Sequence, residues 1–434
     1  MGERFYVETL GCAKNQVDSE KLSGSMLAAG LERASSLEEA DLVVVNTCAF
    51  IDAARAESVD TILDVARQRR RGARLVVTGC LAARSGMELA TSLPEVDAVI
   101  DVGMPVHLPG ERWQPRSADV AGIDLLELPR PKPGVPWAYV KVAEGCDRHC
   151  GFCAIPSFRG RQRSRKEDAI LAEVDALDVQ EVVLVAQDLA SYGRDLGRPG
   201  ALIDLVEKVA RRVPRVRLFY LYPSSLSDRL IDSVIDTGVE YFDLSLQHVS
   251  KPLLRRMRRF GCRETFVERI GRIRSRAPGA ALRSSFIVGY PGETEDDHDD
   301  LLGFLSESEL DWGGFFAFSD EEGTYAHQLD GQVDSDLVLE RLSEVSALQD
   351  EITARRRRSL VGTEARVLVD TPGVSRSYRE APEIDGVIRI NRGVNPGTFV
   401  DARIDAAVGA DLIATVVHPQ IVGENQPMPA RQTT

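Results

Sequence analysis

The sequence predicts an α/β protein in three parts: an N-terminal parallel-sheet α/β domain, a central partial (β/α)6 barrel and a small C-terminal β-barrel. Three observations predict it. Short apolar runs alternate with amphipathic stretches from residue 4 to about residue 100, and again from Trp137 to Arg358. Prolines at 105, 109, 115, 129, 131, 133 and 136 punctuate the stretch between the two series. From Gly362 onward the text changes to short strand-like runs parted by Gly, Pro and Asn. A chain of 434 residues has room for about three domains at roughly 150 residues each. The boundaries expected are 1–115, a Pro-rich linker at 116–135, 136–361 and 362–434.

In chain order, strands are expected at Arg4 to Leu10, Asp41 to Asn46 and Arg74 to Thr78, with helices at Asn15 to Ala29, Ile51 to Arg70 and Leu81 to Ser92. Such a series implies a parallel sheet with right-handed crossovers. Six central strands follow, near Tyr139 to Ala143, Glu181 to Ala186, Arg217 to Leu221, Tyr241 to Leu246, Ala281 to Val288 and Gly314 to Phe318. A long helix from Asp336 to Arg358 closes this part. Active-site groups are expected at the carboxyl ends of such strands, where the βα loops converge. Four short runs complete the chain, at Ala365 to Asp370, Val387 to Ile390, Phe399 to Ile404 and Leu412 to Val417.

Charge and composition narrow the function classes. With 53 Lys+Arg against 67 Asp+Glu, the net charge of -14 excludes a uniformly basic nucleic-acid coat and favours basic partners. Hydrophobic residues at 43% and charged residues at 28% are ordinary globular values and argue against disorder. No apolar run approaches the roughly 20 residues that span a bilayer, and no secretory signal opens the chain, so a cytoplasmic protein without a membrane partner is expected.

Seven cysteines in a reducing compartment are better metal or redox candidates than disulfide partners. Cys12, Cys48 and Cys80 each fall just after a predicted strand of the first series, in Leu-Gly-Cys, Asn-Thr-Cys and Thr-Gly-Cys. All three are therefore expected at one sheet edge. Small buried cysteines are the plainer alternative. Cys146, Cys150 and Cys153 form Cys-x3-Cys-x2-Cys directly after the first central strand. Three local thiolates can hold a four-iron four-sulfur cluster and leave one iron open. Structural zinc is the rival, but it wants four closed ligands, and His149 is poorly placed to be the fourth. Cys262 stands alone as an ordinary thiol.

The spacing of Cys146, Cys150 and Cys153 on a partial barrel resembles the radical S-adenosylmethionine superfamily. With the three separated N-terminal cysteines and the terminal β-barrel, the whole chain resembles the methylthiotransferases. The resemblance implies a radical S-adenosylmethionine core, a TRAM-like C-terminal barrel and two four-iron four-sulfur clusters per chain, with S-adenosylmethionine as cofactor. It implies that Cys146, Cys150 and Cys153 carry the cluster that cleaves S-adenosylmethionine to a 5'-deoxyadenosyl radical. It also implies that Cys12, Cys48 and Cys80 carry a second cluster that supplies the inserted sulfur. Finer text looks like the protein-modifying branch: Glu8-Thr-Leu-Gly-Cys-Ala-Lys-Asn-Gln-Val-Asp-Ser19, Cys153-Ala-Ile-Pro-Ser-Phe-Arg-Gly160, Ala186-Gln-Asp-Leu-Ala-Ser-Tyr-Gly193, Leu246-Gln-His248 and Phe318-Ser-Asp-Glu-Glu-Gly-Thr324. That branch methylthiolates the β-carbon of an aspartate in ribosomal protein S12. The tRNA-modifying branch more often shows Gln-Asn where Gln187-Asp188 stands. Ser245 departs from the branch, which usually carries proline there.

The resemblance further implies cofactor contacts at Gln187, Ser245, Gln247 and Arg283, the last suited to a carboxylate. Phe152 is expected against the adenine, and the turn at Gly289 is expected to let backbone approach the ligand. His248 is either a proton-transfer group or a structural hydrogen bonder. The charge runs at Arg159, Arg161, Arg163, Arg165 and Lys166, and at Arg355 to Arg358, are expected to be solvated faces, with a ribosomal contact as the alternative. Residues 363–434 hold nine carboxylates against seven arginines, a balance that suits a basic ribosomal protein better than tRNA. The partners expected are S12, an electron donor and a sulfur donor, with tRNA disfavoured. Two rival functions are a tRNA adenosine methylthiotransferase and a non-catalytic iron-sulfur carrier or structural protein.

Overall fold

A computed structural model of the chain describes residues 2–107, 112–115 and 124–418. Residues 116–123 of the expected linker and the tail at 419–434 lie outside them. The N-terminal part runs β1 (Arg4–Thr9), α1 (Ala13–Ala28), β2 (Glu32–Arg33), β3 (Leu42–Thr47), α2 (Asp52–Gln68), β4 (Arg74–Gly79), α3 (Cys80–Ser92), β5 (Ala98–Ile100) and β6 (Trp113–Gln114). Its six strands form one parallel sheet in the order β2-β1-β3-β4-β5-β6. β3 is buried throughout because helices cover both faces: Val43 and Val45 enter one apolar cluster, while Leu42 and Val44 enter the other. That is why it reads as an unbroken apolar run. β2, β5 and β6 are two or three residues long, too short for any periodicity to announce them.

The central part contains β7 (Trp137–Lys141), β8 (Ala143–Glu144), α4 (Ile155–Arg159), β9 (Arg163–Ser164), α5 (Glu167–Leu177), β10 (Glu181–Val185), α6 (Ala201–Ala210), β11 (Arg215–Leu218), α7 (Asp228–Asp236), β12 (Tyr241–Gln247), α8 (Lys251–Arg256), α9 (Arg263–Arg276), β13 (Ala281–Val288), α10 (Glu295–Ser308), β14 (Trp312–Ala317) and α11 (Ser335–Arg358). Two parallel sheets, β7-β10-β11 and β12-β13-β14, are joined by a bridge between Leu221 and Leu244 into an arc of six strands. The concave side is filled by Tyr139, Val183, Val185, Phe219 and Tyr241, which pack with Val17 of α1 and Ala381 of the C-terminal part. An open half-barrel would leave such side chains in water, so the neighbouring domains supply its missing wall.

The C-terminal part is a closed barrel of β15 (Glu364–Thr371), β16 (Val374–Arg376), β17 (Ile388–Ile390), β18 (Phe399–Val408) and β19 (Asp411–His418), in the order β15-β16-β17-β19-β18. The segment between β16 and β17 is fastened to the amino ends of the central strands. Arg217 donates to Glu181 (2.9 Å) and to the carbonyls of Tyr378 (2.9 Å) and Glu380 (3.0 Å). Arg376 donates to the same Glu181 (3.0 Å), and Trp312 Nε1 donates to the Arg379 carbonyl (2.8 Å). Glu181 is fully buried, and its two arginines hold its carboxyl down near 2 against the cost of burial. Removing one member of such a set costs ~3–5 kcal/mol, because a buried charge is left unpaired. The barrel is thus locked to the end of the arc opposite the cysteine loop.

Candidate metal centres

The order β1-β3-β4 puts three strand ends side by side, and the register pairs Thr9 with Asn46 and Thr47 with Gly79. Cys12 then precedes α1, Cys48 follows β3, and Cys80 opens α3, so the three expected residues share one sheet edge. Close approach is built in at Gly11, whose φ of +92° suits glycine and whose missing Cβ would lie 2.8 Å from Cys48 Cβ and 2.9 Å from its Sγ. Asn15 stitches the edge together: its Nδ2 donates to the carbonyls of Leu10 (2.9 Å) and Thr47 (2.8 Å). Ser58 of α2 clamps the Cys48 backbone, accepting from its N–H (3.1 Å) and donating to its carbonyl (2.9 Å). Cys12 is exposed; crowding by neighbouring protein atoms opposes its ionisation, but Lys14 and backbone N–H groups outweigh this and hold that thiol low. Burial pushes the Cys48 thiol up to about 11 and also raises Cys80, where Arg159 acts in the other direction.

Cys146, Cys150 and Cys153 lie in the loop between β8 and α4, at the carboxyl end of the arc. The loop is held from several sides. The Gly151 N–H donates to the Met257 carbonyl (2.8 Å), and its carbonyl accepts from the Ala326 N–H (2.8 Å). Arg148 Nε donates to Asp188 (2.6 Å), and its Nη2 donates to Ser225 (3.2 Å). Arg259 Nη1 reaches Cys150 Sγ at 3.4 Å. Arg148 and Arg259 both stack on Tyr222, at 3.8 and 4.0 Å from the ring centroid. Burial and neighbouring sulfurs push Cys153 up to about 12, and burial raises Cys146 to about 11. Cysteine sulfurs are the ligands that four-iron clusters take, so the donor chemistry of both sets fits iron coordination. Among the described residues no three Cys, His, Asp or Glu side chains are drawn tightly enough for a single metal ion. A four-iron cluster asks for wider spacing, since each thiolate binds a different iron. His149 is exposed, and Cys262 caps α9 near Thr265, so neither belongs to a set.

The two sets face each other across a polar junction. Asp18 of α1 pairs with Lys141 and accepts from Arg159 Nη1 (2.9 Å), and Lys141 also donates to Glu144 (2.7 Å). Lys14 lies 3.6 Å over the Tyr220 ring. On the far side, buried Glu321 accepts from Arg84 of α3 (2.6 Å) and pairs with Arg55 of α2, while Ser319 accepts from the Asp52 N–H (3.0 Å). None of Asn15, Arg159, Arg259 or Glu321 was singled out from the sequence as a site residue. Asn15, Arg159 and Glu321 do lie inside the motif text quoted above.

Of the expected cofactor contacts, Gln187, Ser245 and Gln247 stand at strand ends beside the cysteine loop. Gln187 Nε2 donates to Glu144, while its buried Oε1 and the Oδ1 of Asp188 have no hydrogen-bond partner. Gln247 turns out of β12 with φ +73°, where the β12–β13 register shifts, and the Ser245 carbonyl accepts from Arg259. Phe152 packs partly against the barrel core. A cavity of about 210 Å3 beside the loop is lined by Asp147, Arg148, Gln162, Asp188, Ser191, Arg194 and Asp195.

Arg283 and Gly289 stand in internal contacts. Arg283 lies inside the arc, 3.4 Å from Asp243 and 3.4 Å from Asp385 of the C-terminal part. Gly289 makes room for α11, with its missing Cβ 2.3 Å from Val338 Cγ2, and its N–H is committed to Glu293 (2.7 Å). The charge runs are solvated only in part. Arg159, Arg165 and Arg357 are buried on distant carboxylates, while Arg161, Arg163, Lys166, Arg355 and Arg358 are exposed. His248 is the structural alternative: Nδ1 accepts from the Ser250 N–H (3.1 Å) in a fully buried setting.

Comparison with known proteins agrees with this layout. Residues 4–101 match Uncharacterized protein family UPF0004, residues 140–305 match the Radical SAM superfamily, and residues 361–417 match the TRAM domain. The chain is 40% identical to the ribosomal protein uS12 methylthiotransferase RimO of Saccharopolyspora erythraea, over 95% of each protein. It is 42% identical to that of Moorella thermoacetica, over 92% of this chain and 96% of the relative. Its fold resembles the radical S-adenosylmethionine methyltransferase TsrM from Kitasatospora setae, with a TM-score of 0.52, 15% identity, and coverage of 73% of this chain and 72% of that one. No helix among the described residues is long and apolar enough to cross a membrane.

Proposed function

This chain belongs to the ribosomal protein uS12 methylthiotransferase family of radical S-adenosylmethionine enzymes, and on that premise we propose that it inserts a methylthio group at the β-carbon of an aspartate in uS12. The observation that carries this reading is the pairing of two cysteine triads, one on a sheet edge and one on a barrel loop, across the junction of Arg159, Asp18 and Glu144. When bound, a cluster on Cys146, Cys150 and Cys153 supplies the electron that cleaves S-adenosylmethionine, and a cluster on Cys12, Cys48 and Cys80 supplies the sulfur.

The chain's own residues position and shield these groups. Arg148 and Arg259 fix the loop from either side of Tyr222. The unpartnered Gln187 Oε1 offers a hydrogen-bond acceptor at the strand end, and Phe152, Ser245 and Gln247 surround the same end as proposed cofactor contacts. The aromatic filling of the arc, with Val17 against it, keeps water from reaching the site through the barrel. Gly11, Asn15 and Ser58 hold the sheet-edge triad in place. A basic target suits the net charge of -14, and the unpaired thiols suit a cytoplasmic setting with electron and sulfur donors as partners.

The test is anaerobic incubation of reconstituted, reduced protein with S-adenosylmethionine and either uS12 or bulk tRNA. The expected product is uS12 with one hydrogen on an aspartate replaced by a methylthio group, and unmodified tRNA. Methylthioadenosine in the tRNA digest, with uS12 unchanged, would replace this reading by the tRNA one.

A further inference from the structure

Arg159 ends α4, the short helix that follows Cys153, and its side chain is only 3% exposed although it crosses from one domain to another. Its Nη2 donates to Cys80 Sγ (3.0 Å) and Asn15 Oδ1 (2.9 Å). Its Nη1 donates to Asp18 (2.9 Å) and Glu144 (3.4 Å). Asn15 is the residue that stitches the strand ends before Cys12 and Cys48, and Glu144 stands next to Gly145-Cys146 and receives Gln187. One planar fork therefore grips a sulfur of the sheet-edge triad, the residue organising that triad, and the carboxylate framing the loop triad. A lysine in its place would carry the charge on a single nitrogen and could not span four acceptors.

We propose that Arg159 is a positioning residue that holds the two cysteine triads in one fixed arrangement and, through its N–H···S hydrogen bond to Cys80, raises the reduction potential of the sheet-edge cluster. The inference rests on the two-cluster reading above. An electron added to a thiolate-bound cluster spreads onto its ligand sulfurs, so a buried cation donating to one of them favours the reduced form. Loss of the fork would make the cluster harder to reduce and would let the two triads shift relative to each other. Radicals made at the loop would then be quenched without meeting the sulfur.

The experiment uses the full-length chain in two settings. In the first, Cys146, Cys150 and Cys153 are changed to Ala so that only the sheet-edge cluster reports, and its midpoint is read by EPR-monitored redox titration with Arg159, Arg159→Lys or Arg159→Met. Equal iron in all three is expected, with the Met variant titrating at a more negative potential and Lys lying between. In the second, the loop cysteines are intact and the ratio of 5'-deoxyadenosine to methylthiolated uS12 is measured. That ratio should rise several-fold in both variants. A Met variant with full iron and an unshifted midpoint overturns the proposal, as does an unchanged ratio. If the Met variant fails to hold iron, the Lys variant decides: a raised ratio supports the proposal and a parental one overturns it. A parent that binds no iron at the sheet edge instead overturns the two-cluster reading beneath it.

Discussion

Cys146, Cys150 and Cys153 come from one loop, whereas Cys12, Cys48 and Cys80 come from three strand ends that meet only because β1, β3 and β4 lie side by side. The loop triad is held by backbone hydrogen bonds and by arginines stacked on Tyr222. The edge triad depends on tertiary packing, on Gly11 fitting under Cys48, and on the cations Lys14 and Arg159 beside its sulfurs. A local triad survives small changes in the sheet but not the loss of any ligand. A distributed triad is exposed to every change in the packing that gathers it.

The largest expected effect follows from the local set. Changing any one of Cys146, Cys150 or Cys153 to Ala leaves two ligands, too few to hold a cluster with one iron free for the cofactor. No 5'-deoxyadenosine should form under reducing conditions, and a variant cleaving at the parental rate would break the comparison at its root. Gly11→Val is next. A β-branched residue at φ +92° costs ~1–2 kcal/mol in backbone strain alone, and its Cβ would collide with Cys48. Iron content should fall by about half, from about eight per chain with two four-iron clusters, while cleavage of S-adenosylmethionine continues.

Asn15→Ala should have a smaller effect. It strands the carbonyls of Leu10 and Thr47 and removes an acceptor from Arg159, costing ~1–3 kcal/mol. Chemical denaturation should show that loss, and sheet-edge iron should be released earlier than loop iron. The smallest effect is a pH dependence on the loop side. Burial pushes the His248 imidazole down to about 4, below the ordinary value of about 6.5, so the unfolded chain takes up the proton first as pH falls. The fold is unpenalised above about 6.5 and loses stability progressively toward pH 4, by ~3 kcal/mol at most. His248→Gln should flatten the acid side of the stability profile and leave neutral pH little changed. An unaltered slope would show that His248 is not the group responsible.

The same contrast explains what the sequence revealed. All three parts of the fold were legible, because short unbroken apolar runs such as residues 42–45 of β3, alternating with amphipathic helices, announce buried parallel strands. The cysteines were legible because their spacing, or their place after each strand, is one-dimensional. Arg159, Asn15 and Glu321 carried no such signal as site residues, since the partners that tie them across the molecule, Asp18, Thr47 and Arg84, lie 141, 32 and 237 positions away and only folding brings them together. The arginine runs were legible in part for a related reason: Arg161, Arg163, Lys166, Arg355 and Arg358 are exposed, but the distant carboxylates Asp18, Glu173 and Glu380 draw Arg159, Arg165 and Arg357 inward. The contacts of Arg283 with Asp385 and of Gly289 with Val338 were not legible either, because they join distant parts of the chain.

The central claim is the division of labour between the triads, and one measurement tests it most directly. Cys12, Cys48 and Cys80 are changed together to Ala, the protein is reconstituted and reduced, and 5'-deoxyadenosine and methylthiolated uS12 are quantified from the same reaction. About half the iron should remain, S-adenosylmethionine cleavage should persist, and methylthiolated uS12 should be absent. Methylthiolation that survives the triple change, or cleavage that disappears with it while the loop iron is retained, would contradict the account.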